Sequence, residues 1–211
     1  MGYINFNNAG SSFPEKSTLS IVKKYLENEK SIGGYLAESK YKKEINRFYT
    51  QLSKLINSKV TEISFLQSST HALNFFINSI NFSKNENVII FDNEYGSNYL
   101  NLLNKKINHK VCNLEQNGQV SLTDLQRKID KNTKMIFLCH IASQCGDLIN
   151  VEEVGRLIKK INKNIIFVLD ACQSIGQKEI DVKKIKCDIL FGSGRKYLRG
   201  PRGTGFIYLN S

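Results

Sequence analysis

The 211-residue chain is predicted to form an α/β fold: a mostly parallel, seven-stranded sheet in a three-layer αβα arrangement, preceded by a helical segment. Three observations predict it. Seven short apolar segments, at 62–66, 87–91, 110–114, 134–139, 164–169, 187–191 and 204–209, read as strands. Helical patterns at 70–80, 97–106, 122–129 and 151–161 separate several of them, and strands joined by helices form parallel pairs with helices on both faces. The first sixty residues carry no strand pattern.

Each element has a local reason. Pro14 suits a helix opening, and Leu19, Val22 and Leu26 recur at helical spacing. A second helix is expected at about 36–56, with Ile45, Phe48, Leu52 and Leu55 on one face. Ser121 with Asp124, and Asn150 with Glu153, have the spacing of helix-opening caps. The chain therefore divides into an N-terminal helical segment at 1–60 and a larger α/β domain at 61–211.

Composition excludes several classes. A 41% hydrophobic, 23% charged chain with 14 Gly and 2 Pro is globular in type, not disordered. No apolar run approaches the roughly 18 residues of a membrane helix, so no membrane role is expected. The opening MGYINFNNAG shows neither a secretory signal nor a myristoylation motif. Five widely spaced cysteines without a CxxC pair argue against disulfides and structural zinc, and the chain reads as cytoplasmic. The net charge of +11 is spread over lysine pairs at 23/24, 42/43, 105/106, 159/160 and 183/184, which suits solvated helix faces better than a nucleic-acid stripe. Nucleotide binding finds no GxxxxGK[ST], and Gly200, Gly203 and Gly205 precede a strand where a dinucleotide motif would precede a helix.

In parallel sheets, ligands bind beyond the carboxyl ends of the strands. Four loops should converge there: QSST at 67–70, DNEYGSN at 92–98, DACQS at 170–174 and GSGRK at 192–196. Ser68, Ser69 and Thr70 at a helix start suit a phosphate, since unpaired N–H groups and the helix dipole attract an anion, although simple capping explains them equally. Asp170 closes the very apolar IIFVLD and needs a cation or a donor to be stable there. Lys196 beside Arg195 is a candidate Schiff-base amine, activated if cationic neighbours favour loss of its proton.

Together, DACQSIGQ at 170–177 and GSGRKYLRGPRGTGFIYL at 192–209 closely resemble the class V aminotransferase family of fold-type I pyridoxal-phosphate enzymes. The family includes cysteine desulfurases, isopenicillin-N epimerases and C–S lyases. FNNAGSSFP, GGY, SSTHALN, NEYGSN, CHIASQCG and VEEVGRL extend the resemblance over nearly the whole chain. It implies the large domain of a pyridoxal 5'-phosphate-dependent transferase. Lys196 and Asp170 would be the catalytic pair, the lysine forming the Schiff base and moving the substrate's alpha proton, the aspartate pairing with the pyridinium nitrogen. Tyr95 would stack on the ring, Gln173 would approach the phenolic oxygen, and Ser69, Thr70, Ser193 and Arg195 would hold the phosphate. No metal site is implied.

Departures from the family pattern are visible. Tyr95 stands where desulfurase-like members carry a His, so stacking survives without imidazole proton transfer. Ser143 falls near a usual Asn, and His71 near a usual Glu. His71 and His109 are expected at the surface, His140 near the active edge, and Cys172 in packed protein. The resemblance also implies a C-terminal small domain that is absent here. The expected function is accordingly a pyridoxal-phosphate enzyme acting on an amino acid, as aminotransferase, cysteine desulfurase or C–S lyase. The alternative is a truncated or split cofactor-binding half without independent catalysis. A homodimer, or a partner chain supplying the small domain, is the expected assembly.

Overall fold

The computed structural model describes residues 4–211; of the MGYINFNNAG stretch, in which no secretory or myristoylation motif is read, residues 1–3 lie outside them. Two long helices come first, α1 (Lys16–Ile32) and α2 (Gly34–Ile56). A short 3-10 turn at Val60–Glu62 then leads into β1 (Ile63–Leu66), α3 (Ser69–Ser79), β2 (Asn87–Phe91), α4 (Gly96–Asn104) and β3 (Asn108–Cys112). The chain continues through α5 (Leu122–Lys128), β4 (Thr133–Cys139), α6 (Val151–Ile161), β5 (Ile166–Asp170), α7 (Val182–Ile185), β6 (Ile189–Ser193) and β7 (Gly205–Leu209).

The seven strands form one sheet in the order β1-β7-β6-β5-β4-β2-β3. All pairs from β6 to β3 are parallel, while β7 runs antiparallel to both β6 and β1. Period-two alternation sends successive side chains to opposite faces. Ile89, Phe91, Ile136, Leu138, Phe167 and Leu169 enter one core, with residues of α2, α5, α6 and α7. Val88, Ile90, Met135, Phe137 and Val168 enter the other, with residues of α3 and α4. Burial on both faces explains why the central strands are almost continuously apolar.

Several boundaries differ from expectation. The third strand is Asn108–Cys112, two residues earlier than 110–114, because its register follows β2 from Asn87 opposite Asn108 to Phe91 opposite Cys112. Leu114 instead makes an isolated antiparallel bridge with Val120. β5 and β6 extend through Asp170 and Ser193, so these residues end strands and do not lie in loops. Pro14 precedes the N-cap Glu15 of α1. Ser121 makes no side-chain cap; Asp124 turns its carboxylate to the Asn113 N–H, Arg127 and Lys128. Asn150 does cap α6, accepting from the Glu153 N–H. The four-residue α7 has no counterpart in the expected pattern, being shorter than any helical period can reveal; Asp181 caps it through the Lys183 and Lys184 N–H groups.

α1 buries none of its residues. Leu19, Val22 and Leu26, spaced as a core face, are 42%, 38% and 56% exposed. α2 is anchored by Ala37, Leu52, Ser53 and Ile56, but Ile45 and Leu55 remain exposed.

Candidate functional site

The parallel strands end on one edge, and the four loops meet there as expected. Ser69, Thr70, Tyr95, Asp170, Gln173, Arg195 and Lys196 line one pocket, together with Cys139, Ile141, Ser143 and Cys172. Ser193 does not line it. Its fully buried hydroxyl accepts from Arg195 Nη1 at 3.1 Å, so it orients the guanidinium from behind.

One end of the pocket is built for an anion. Ser68 caps α3, its Oγ accepting from the His71 N–H at 3.1 Å, which leaves Ser69 and Thr70 in the first turn, where backbone N–H groups lack helical partners. Arg195 adds a positive charge from the opposite wall, its Nε fixed on the Gly10 carbonyl at 3.2 Å. β7 passes directly beneath: a Cβ on Gly205 would lie 2.7 Å from the Ser68 backbone. Glycine therefore permits the close approach that positions the α3 start.

The other end is built for a flat, polar ring. Asp170 is 5% exposed. Its Oδ1 accepts from the Cys172 N–H at 2.8 Å and its Oδ2 from Asn98 Nδ2 at 2.9 Å. Gln173 donates to the Ala9 carbonyl at 3.1 Å, while its Oε1 is buried without a partner. Lys196 is 6% exposed, with its ammonium over the Tyr95 ring at 5.6 Å from the centroid. A buried lysine and a buried amide acceptor without a donor are each unfavourable in an isolated protein. Both suit a pocket that holds a ligand with carbonyl and hydroxyl groups.

The N-terminal loop closes the back of the site. Ser12 N–H donates to the Arg195 carbonyl at 3.0 Å, and Ser12 Oγ to the Lys196 carbonyl at 2.5 Å. These contacts bridge more than 180 residues of chain, and no spacing rule reveals them. Glu94, Asn98 and Cys139 are likewise functional candidates that the residue-by-residue reading did not single out. The available signal was the polar density of NEYGSN between a strand and a helix. Glu94 Oε1 accepts from Asn98 Nδ2, the Tyr95 N–H and the Cys139 thiol, each at 2.8–2.9 Å. Burial pushes the Glu94 carboxyl up to about 7, and the nearby Asp170 charge adds to it. Side-chain S and O atoms of Glu94, Cys139 and Asp170 lie within 4.8 Å of one another.

The remaining candidates fall as follows. Burial, then the Asp170 charge, pushes the Cys172 thiol well up, which disfavours the thiolate a sulfur carrier needs. Ser143 reaches the pocket wall, and its hydroxyl bonds Gln144 Oε1. His140 does not line the pocket. It is 6% exposed and faces a second cavity with Gln119, Glu152, Lys178 and Asp181. Burial, then Lys178, lowers it to about 4. His71 and His109 are half-buried against the Phe75 and Tyr99 rings, and neither lines the pocket.

A sequence profile described as aminotransferase class V matches residues 4–211. The chain belongs to the class V aminotransferase family. It is 30% identical to a Pyrococcus abyssi protein named "Probable cysteine desulfurase", over 98% of this chain and 53% of that protein. It superimposes on a cysteine desulfurase from Thermococcus onnurineus with a TM-score of 0.82 at 25% identity, covering 98% of this chain and 53% of that one. The same fold occurs in a C-DES variant with glycine covalently linked to its PLP cofactor, at a TM-score of 0.89 and 14% identity over 97% of this chain and 56% of that one. The chain spans about half the length of the relatives it matches.

Proposed function

We propose that this chain binds pyridoxal 5'-phosphate through Lys196 and acts on an amino acid, as an aminotransferase or as a cysteine desulfurase or C–S lyase. One observation carries the reading: a buried lysine, a buried aspartate and an amide line a single pocket together with Ser69, Thr70 and Arg195. Bound there, the cofactor supplies an aldehyde that condenses with amines and a ring that accepts electrons from the substrate carbon.

The protein's own groups divide the work. Ser69, Thr70 and Arg195 hold the phosphate, with Ser193 fixing the guanidinium. Asp170 would pair with the ring nitrogen and favour its protonated form. Tyr95 would stack on the ring, and Gln173 would approach the phenolic oxygen. Lys196 Nζ would form the covalent link and then accept and return the substrate's alpha proton.

The test is to add pyridoxal phosphate, reduce with borohydride and map the labelled peptide. Label on Lys196, lost in Lys196→Ala, supports the reading; a folded chain that takes no label anywhere refutes it. A second reading is a cofactor-binding half without independent catalysis. It predicts label on Lys196 together with no turnover of cysteine or other amino acids. The exposed apolar residues of α1 support a homodimer or another partner chain as the working assembly. Among the described residues no helix is long and apolar enough to cross a membrane, and all five cysteines are free, which favours the cytoplasm.

A further inference from the structure

The carboxylate that faces the ring nitrogen is not alone. Asn98, 3% exposed, spends both hydrogens of one amide nitrogen on two different carboxylates, Glu94 Oε1 and Asp170 Oδ2, each at 2.9 Å. Cys139 donates to Glu94 from the end of β4. Glu94 is half-buried as a residue, but its Oε2 is shut off from solvent without a partner. Two carboxylates so placed repel each other when both are ionised. The groups facing Glu94 are Asn98 and the Tyr95 N–H from the start of α4, Cys139 from β4 and Asp170 from β5.

We propose that Glu94 is a positioning residue which, through Asn98, sets the orientation and charge of Asp170, and that it gives up one proton when an aromatic N–H cation docks on Asp170. The proposal rests on the cofactor reading of the site. Before docking, burial favours the protonated form of Glu94, and the Asp170 charge adds to it. Of the two causes that raise Glu94, burial and the smaller Asp170 field, the docking cation offsets the second. The Glu94 O–H bond then breaks, its electron pair stays on the carboxylate, and the proton leaves to solvent. The site afterwards presents two negative charges to one cationic ring, which holds the ring nitrogen protonated more firmly than one carboxylate does. The position of the Glu94 carboxyl, with an acidity range near 7, makes the exchange take place at neutral pH.

Pyridoxine 5'-phosphate tests this, because it carries the ring nitrogen and the phosphate but no aldehyde for Lys196. Calorimetric titration at pH 6.5 in two buffers of different ionisation enthalpy counts the protons exchanged on binding. The wild type is expected to release a larger fraction of a proton than Glu94→Gln, the ligand's own titration being common to both. Equal counts in the two proteins, with binding intact, overturn the inference while leaving the cofactor reading in place. A chain that binds neither this ligand nor pyridoxal phosphate overturns both. Infrared difference spectra of the wild type need no variant: a protonated-carboxyl band present before the ligand and lost on saturation supports the exchange, and an unchanged band, or none at the start, refutes it.

Discussion

At the scale of single residues, the site is organised by groups whose charge the protein has to support. Lys196 and Asp170 are both nearly sealed from solvent, yet their side chains form no ion pair with each other. Each is held by its own surroundings, the lysine over an aromatic ring and the aspartate by two N–H donors. Such preorganisation leaves both side chains facing the pocket. Glu94 has a measurable consequence for stability. Its folded acidity range near 7 lies above the usual carboxylate value of 4.5, so the folded state binds the proton more tightly than the unfolded chain. Stability is therefore lost as pH rises from about 4.5 through 7, by on the order of 3 kcal/mol. Thermal melts of wild type and Glu94→Gln between pH 5 and pH 8 should show the variant gaining relative to the wild type as pH rises. A constant difference across that range would contradict the assignment. His140 acts in the opposite sense, since burial lowers it and its contribution fades as pH falls from about 6.5 to about 4.

At the scale of elements, the anion site depends on how closely β7 runs beneath the start of α3. Gly205 is the last residue of the Leu66 pairing, and its missing side chain leaves room for the Ser68 and Ser69 backbone. Gly205→Ala is expected to destabilise the fold by about 1–3 kcal/mol and to weaken phosphate-bearing ligands more than a phosphate-free analogue such as pyridoxine. Denaturant melts and parallel binding titrations check the two effects. Gly155 shows the same principle away from the site: α6 packs so tightly on α7 that a Cβ there would lie 1.9 Å from the Ile185 carbonyl. Lysines at strand and helix ends also have structural partners. Lys159 Nζ meets the Ile165 carbonyl and Asp188, while Lys128 Nζ meets the Val111 carbonyl and Asp124. Part of the large positive charge is thus tied to carbonyl groups and carboxylates within the fold.

At the scale of the whole molecule, the sheet is covered on both faces, whereas the apolar stripe of α1 is only partly covered and buries none of its residues. Ile21, Leu26, Tyr35 and Leu36 are each more than half exposed. An exposed apolar surface of this kind marks an interface. Sedimentation at micromolar concentration is expected to show a dimer, and Leu26→Glu combined with Ile21→Glu should shift it to monomer without loss of helical circular dichroism. A wild type that sediments as a monomer would remove the support for a homodimer.

Periodicity and motif chemistry alone gave seven strands in the right order along the chain, the longer helices and the four loops that build the pocket, because side-chain alternation and helix capping are local properties. β2 and α6 fell where the pattern placed them, and seven of the eight predicted cofactor residues line one pocket. Folding decided what depends on distant partners. β3 shifted by two residues because its register is set by β2, and Ser193 moved behind Arg195 because β6 carries its hydroxyl into the core. The coupling of Asp170 to Glu94 arises where Asn98 on α4 meets the ends of β4 and β5, and no spacing in the chain encodes that meeting. A sequence specifies which groups are available to a site, but the burial and neighbours that fix their charge exist only once the strands are side by side.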